Sequence, residues 1–301
     1  MAISKFKIED KDRDKRLDHF LVENFPEESR SFLQKQIKNG AVTVNGEMPS
    51  VHQFLKIGDK VEIKIEKKKI KKKEPPKYKL VFECDDYLII EKPAGVLTHS
   101  DGIDLGLADA IIKDYPEIKK IGDKGRWGIV HRLDKDVSGL LVVARTKKFF
   151  EYIKKQFSER LIKKIYLALV YGEVPRDEET LEFSIARSSE GGKMAARPKD
   201  DEDSREAKTH IQVLKKFKNY TYLEVQIFTG RTHQIRAHLL AYGYPVVGDN
   251  LYRLRRQRVK NPGCERLFLH SHKLGFNNME GKFVEYKSKL PKELNEVLEI
   301  L

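Results

Sequence analysis

Cysteine occurs only twice in this sequence, at Cys84 and Cys264, and neither stands in a Cys-x-x-Cys spacing. That excludes a disulfide framework, argues against a structural zinc site and fits a reducing compartment, with the cytoplasm as the expected location. No stretch approaches the roughly 18 consecutive apolar residues of a membrane span. Met1-Ala2-Ile3-Ser4-Lys5 lacks the apolar core of a secretory leader. Phosphate-cradling loops of the Gly-x-x-x-x-Gly-Lys or Gly-x-Gly-x-x-Gly kind are also missing, and His233 and His238 stand five apart instead of the four of a helical zinc pair. The expectation is a chain with no cofactor, no metal and no membrane association.

What the sequence has in excess is positive charge. Lys and Arg number 59 against 46 Asp and Glu, a formal charge of +13 over 301 residues. This balance favours a polyanionic partner, nucleic acid before membrane, although solvated surface charge is the bland alternative. The excess is uneven: residues 1 to 78 carry 19 basic and 13 acidic groups, +6 in a quarter of the chain. A hydrophobic fraction of 40% suffices for a real core, and the length allows one sizeable domain plus a small one.

In the N-terminal quarter, Leu17, Phe20 and Leu21 have the spacing of a helix with one buried face. Ser29 is placed to cap a second helix bearing Phe32, Leu33 and Ile37, stopped by Asn39-Gly40. Strands follow at Ala41–Val44 and, in strict alternation, Val61–Ile65, with an Asn45-Gly46 turn after the first. Residues 67 to 78, a Lys run ending in Pro75-Pro76, read as a linker. Beyond it, strands are predicted at Leu80–Phe82, Tyr87–Ile90, Leu140–Ala144 and Lys163–Gly172. Helices are predicted at Leu107–Tyr115, around Phe149, Phe150, Ile153 and Phe157, and over Arg231–Tyr242 with Ile235 and Leu239 inward. Ser188 to Glu206 reads as a polar, mobile loop.

The stretch that organises the chain is His131-Arg132-Leu133-Asp134-Lys135-Asp136-Val137-Ser138-Gly139, which breaks an apolar pattern just before the strand from Leu140. On pattern alone it is a surface turn entering a buried strand. As a motif, it resembles the signature loop of the RluA-type pseudouridine synthases, with Val137 where that family usually has Thr. Gly230-Arg231-Thr232-His233-Gln234-Ile235-Arg236-Ala237-His238 resembles a second family motif. Lys92-Pro93-Ala94-Gly95, the Lys164, Tyr166, Ala168 pattern, Gly248-Asp249-Asn250-Leu251-Tyr252 and Arg266-Leu267-Phe268-Leu269-His270 look like others. Arg16-Leu17-Asp18, Ser29-Arg30 and Val42-x-Val44-Asn45-Gly46 resemble the alpha-L RNA-binding domain of the ribosomal small-subunit protein 4 type.

The resemblance implies an α+β fold: a mainly antiparallel catalytic domain over 79–301, a linker over 67–78 and a small alpha-L domain over 1–66. It also implies isomerisation of uridine to pseudouridine in RNA, most like the RluC branch acting on large-subunit ribosomal RNA, by a monomer. Asp134 would be the catalytic carboxylate, Arg231 its cationic partner, and Tyr166 the residue stacking on the base and aiding proton removal from C5. Arg132 would displace the nucleotide from its helix and is not expected to point into the same space as Asp134. His131, Lys92 and Leu269 would flank the substrate, and Arg16 and Arg30 would meet RNA phosphates. Two other readings remain open: a non-catalytic RNA-binding factor on the same scaffold, and a nucleoside glycosidase, which would need paired carboxylates and has only Asp136 near Asp134.

Overall fold

Asn45-Gly46 is the sharpest local instruction in the N-terminal quarter, because a tight hairpin turn needs two residues that accept positive φ. In the computed structural model Asn45 (φ 55°) and Gly46 (φ 86°) occupy that region, and Val44 and Glu47 exchange both backbone hydrogen bonds across the turn. The structure describes residues 2–26, 28, 30–65, 74–101, 104–188, 193–197, 204–254 and 259–301. It divides into two compact units, Met1–Pro76 with His99–Asp109, and Lys77–Thr98 with Ala110–Leu301. The excursion of His99–Asp109 into the first unit has no counterpart in the linear division read from the sequence.

In the first unit, β1 (Ala2–Lys7), α1 (Leu17–Asn24), α2 (Arg30–Lys38), β2 (Val42–Val44) and β3 (Lys60–Ile65) form two helices against a three-stranded sheet ordered β1-β3-β2. The apolar faces expected of the helices are the ones buried: Leu17, Phe20, Leu21, Leu33 and Ile37 share a core with Val42, Val61 and Ile63. The sequence reading did not foresee β1, whose Ile3 and Phe6 are three apart and break the alternation of a strand. The expected Ser29 cap, and the linker from 67 to 73, lie outside the described residues.

The second unit contributes β4 (Lys79–Glu83), β5 (Tyr87–Lys92), α3 (Leu107–Asp114, which begins in the first unit), β6 (Ser138–Ala144), α4 (Lys147–Ser158), β7 (Lys163–Tyr171), β8 (Glu178–Leu181), β9 (Ser184–Arg187), β10 (Met194–Arg197), β11 (Arg205–Glu206), β12 (Thr209–Phe217), β13 (Tyr220–Ile227), α5 (Gln234–Ala241), β14 (Leu269–Asn277), β15 (Phe283–Lys287) and α6 (Lys292–Glu299). Among the described residues the main sheet runs β4-β5-β6-β14-β7-β13-β12-β8, with β15 on the remainder of β14. Every pairing in it is antiparallel except β6 with β14. The mixed α+β class with a mainly antiparallel sheet is therefore as expected. Part of the predicted mobile loop is not loop: β10 and β11 both pair with β9, because Met194–Arg197 offers a backbone edge whatever its polarity.

All of β6 is buried, as a strand at the sheet centre covered on both faces should be. One face meets α4, whose Phe149 and Ile153 pack with Leu140, Val142, Leu274 and Phe276. Each such side chain contributes on the order of 1.5–3 kcal/mol on burial. At the start of β6, Gly139 (φ 117°) lets β14 come close, since a Cβ there would fall 2.2 Å from the Ser271 carbonyl oxygen. This approach brings the loop before β6 against the start of β14 and the middle of β7.

Candidate active site

The signature loop is held by its backbone and by its inward side chains. Lys92, at the end of β5, is fully buried and donates Nζ hydrogen bonds to the carbonyls of Pro93 (2.9 Å), Val96 (2.7 Å) and Lys135 (2.9 Å). Burial pushes its ammonium down to about 7, opposed by the charges of Asp136 and Asp134. The Thr98 hydroxyl donates to the Leu133 carbonyl and accepts from the Leu133 N–H. His131 accepts the Val142 N–H on Nε2 at 3.1 Å and stacks on Phe157. From the other side Arg266 donates to the Asp136 carbonyl and to Ser138 Oγ.

With those positions anchored, Arg132 and Asp134 line one pocket with Tyr166, Arg231, His233, Arg236 and Leu269. The expectation that Arg132 and Asp134 would diverge is corrected. They are two positions apart, and locally extended chain places such residues on the same side. Lys92 is corrected too: a buried ammonium bonded to three carbonyls does not reach a substrate, and it positions the loop instead. His131 likewise spends Nε2 on the backbone of β6, though its ring borders a neighbouring recess.

The cation on Asp134 is Arg236, not Arg231. Arg236 Nη1 lies 3.2 Å from Asp134 Oδ2, while its Nε and Nη2 form a fork on Asp249 at 2.7 and 2.9 Å. Asp249 also accepts the Leu251 and Tyr252 N–H groups, so the fork is rigidly held. Burial alone would lower the Arg236 pKa, but Asp249 and Asp134 outweigh it and raise it. Arg231 lines the same pocket, yet its Nε donates to the Glu206 carbonyl and its N–H to Gln234 Oε1. The physical reason is the turn before α5. Gln234 spends its side chain on Thr229, Arg231, Lys208 and Thr209, and His233 takes a left-handed φ of 55°, so the first turn of the helix faces the carboxylate.

His233 Nε2 stands 3.7 Å from Asp134 Oδ2, and its Nδ1 lies 2.9 Å from the Tyr252 hydroxyl. That hydroxyl also accepts the Met194 N–H, which fixes it beside Nδ1 of the neutral imidazole. Burial lowers the His233 pKa against the pull of Asp134, which favours this neutral form. Tyr166 is almost fully buried, and burial, then the charge of Asp134, raises its pKa. Its phenol is protonated at neutral pH. Sequence reasoning quoted the motifs containing Arg236, His233, Asp249 and Tyr252 without assigning these residues; the signal available was the helical register of Arg236, three residues after His233 at the mouth of α5.

In the first unit, Arg16 and Arg30 both converge on Asp18. Each uses Nε and Nη2 on its carboxylate, and Gln34 adds a further bond at 2.8 Å. Burial of Asp18 works to raise its pKa, but Arg30, Gln34 and Arg16 prevail and hold it far below the usual carboxylate range. The two guanidiniums are 33% and 48% exposed. They brace the helices as well as presenting charge.

Comparison with known proteins agrees with this architecture. The family profile described as RNA pseudouridylate synthase matches residues 86–241, and that of the S4 domain matches residues 15–61. An RNA pseudouridine synthase of Chloroflexus aurantiacus is 38% identical over 94% of this chain and 89% of its own length. The RNA pseudouridine synthase YlyB of Bacillus subtilis is 32% identical over 96% of this chain and 95% of its own. The ribosomal large subunit pseudouridine synthase D of Neisseria meningitidis serogroup A is 34% identical, covering 95% and 78%. Among solved structures, human RNA Pseudouridylate Synthase Domain Containing 1 superposes with a TM-score of 0.59 at 27% identity, over 72% of this chain and 86% of that one. The chain belongs to the RNA pseudouridylate synthase family and carries an S4 domain at its N-terminal end. It is an RNA pseudouridine synthase, an isomerase. These relatives give no specific support to the RluC branch.

Proposed function

We propose that this enzyme converts uridine to pseudouridine in large-subunit ribosomal RNA, with Asp134 acting at the ribose of the target. The observation that carries the site is that Asp134 is the one carboxylate lining its pocket among the described residues, beside a neutral phenol and three arginines. Attack at C1′ and removal of the C2′ proton both require the ionised carboxylate, and the rigid Arg236 holds one of its oxygens in place. The N1–C1′ bond breaks, the uracil turns, and C5 bonds to C1′. The C5 proton is lost and N1 gains one, so no electrons are exchanged and no cofactor enters the balance.

Tyr166 packs against the base as a neutral phenol. Burial disfavours the phenolate that proton acceptance from C5 would demand. Leu269, almost fully buried at the pocket wall, supplies an apolar contact, and the exposed Arg132 is placed to fill the gap left by a flipped nucleotide. Arg16 and Arg30 add fixed positive charge for RNA phosphates. A glycosidase reading lacks its second carboxylate, since Asp136 does not line this pocket.

The ribosomal substrate rests on the relatives named for the large subunit. Mapping pseudouridine across total RNA with and without the gene tests it. Loss of one or more large-subunit sites is expected. Loss confined to transfer RNA would overturn the substrate while leaving the chemistry intact.

A further inference from the structure

Beside the Asp134 pocket lies a second, roomier recess of about 440 Å³, and the two share Arg132, Tyr166, Ile227, Gly230 and Arg231 as a common wall. Its lining adds Arg160, Lys164 and the rings of Phe157 and Phe228, and contains no Asp or Glu among the described residues. Lys164 sits on β7, two residues before Tyr166, with its side chain largely buried. Its Nζ has the Thr229 carbonyl at 3.5 Å and lies 5.8 Å over the Phe157 ring.

A buried ammonium normally stands against a carboxylate or several close acceptors. Lys92 has three carbonyls within 2.9 Å, whereas Lys164 has one distant carbonyl and an opening toward solvent-accessible space. Around that opening stand Arg132 and His131 from the signature loop, Arg160 after α4, and Arg231 after β13. Arg160 is offset by Glu206 at 3.2 Å. Gly230 borders the ammonium: a Cβ there would stand 3.9 Å from Lys164 Nζ, in ordinary contact.

We propose that this recess is a phosphate subsite, seating a phosphodiester of the nucleotide next to the reacting uridine, with Lys164 as its buried countercharge. The proposal rests on the Asp134 pocket receiving the uridine, because the shared wall then leaves the adjoining sugar-phosphate over Lys164. Aromatic walls and a lining with basic groups and no carboxylate among the described residues suit a nucleotide backbone and are poorly matched to an apolar or cationic ligand. Burial pushes Lys164 down to about 8, and a bound phosphate offsets that effect, so binding and protonation reinforce each other.

The test is binding of the full-length protein to ribosomal RNA over a range of salt concentration and pH, with Tm measured for each variant. Lys164→Met is expected to bind five- to tenfold more weakly and to flatten the log–log salt slope by about 0.7, the value for one single-strand phosphate contact. Lys164→Arg is expected to keep the slope and to lose the decline in affinity that the parent shows above pH 8. An unchanged slope in a folded Lys164→Met protein overturns the proposal. Should that variant not fold, Lys164→Gln, which keeps a polar side chain without the charge, decides in the same way. Asp134→Asn, run in parallel, separates the two readings: if it retains turnover the uridine pocket is misassigned, while the salt slope still judges the phosphate subsite.

Discussion

Asp18 and Asp134 are both carboxylates beside arginines, one in each unit, and they are built to opposite ends. Asp18 is fully buried and saturated by two guanidinium forks and an amide. Asp134 is 19% exposed, and its cation is shared with Asp249, which takes two of that guanidinium's three nitrogens. A carboxylate so enclosed, accepting five bonds from Arg16, Arg30 and Gln34, has no face open to a substrate and serves to lock helices together. A carboxylate held at one oxygen by a rigid, half-committed arginine stays available to a substrate. The contrast teaches that the way a carboxylate's hydrogen bonds are taken up, more than proximity to a cation, decides whether it stays open to a pocket.

The widest separation comes from replacing each carboxylate with its amide. Asp134→Asn should fold and bind RNA as the parent does while losing on the order of 10⁴-fold or more in turnover. Asp136→Asn, on the same loop, should stay within about tenfold. If Asp134→Asn instead lowers Tm and spares pseudouridine formation, the contrast is reversed.

Asp18→Asn should do the opposite and destabilise the N-terminal unit by roughly 3–5 kcal/mol, the usual consequence of breaking a buried ion pair. Acid should reproduce that loss. Because the folded pKa of Asp18 is depressed, its contribution is complete above the ordinary carboxylate range and disappears as pH falls below it. Thermal unfolding followed from pH 5 to pH 1.5 reads this directly.

Two buried histidines sharpen the comparison inside the catalytic unit. Burial pushes His238 and His270 down to about 4 from an ordinary 6.5. The unfolded chain therefore takes up protons first, and stability is lost as pH falls from 6.5 toward 4, by on the order of 3 kcal/mol for each group. Replacing His270 with Gln should flatten that part of the profile for its share. An unaltered acid profile would remove His270 from the account.

The smallest effect expected is at Arg231. Bonded to the Glu206 carbonyl and lining the pocket without holding Asp134, Arg231→Met should weaken RNA binding about tenfold and leave kcat within a few-fold. Arg236→Met, which strands Asp249, should cost much more in both stability and turnover. Equal losses in the two variants would restore Arg231 as the partner of Asp134.

Much of this was legible in the residues. Alternation located β3, a continuous apolar run β6 and period-3.6 spacing α1, α2 and α4, and the Asn45-Gly46 turn set its hairpin, because each depends on neighbours in sequence. The choice of Arg236 over Arg231 was not legible. It turns on the left-handed φ of His233 and on Gln234 bonding four separate groups, none of which a linear pattern reports. Lys92 misled for a related reason. A lysine at the end of a strand reads as a surface charge until a distant loop brings the Lys135 carbonyl onto it.

The parallel pairing of β6 with β14 also has a consequence for how the protein is made. His270 and Ser271 must lie beside Ser138 and Gly139 before the centre of the sheet is continuous. The ribosome has by then issued nearly the entire catalytic unit. Until β14 arrives, β6 and β7 are neighbours with an empty lane between them, each offering a bare apolar edge. Such late, long-range closure is slow and exposes strands to wrong partners. The Asp134 pocket, with Leu269 in its wall, is thus among the last parts of the nascent chain to exist, and truncations that stop before Leu269 should yield insoluble protein with no partial activity.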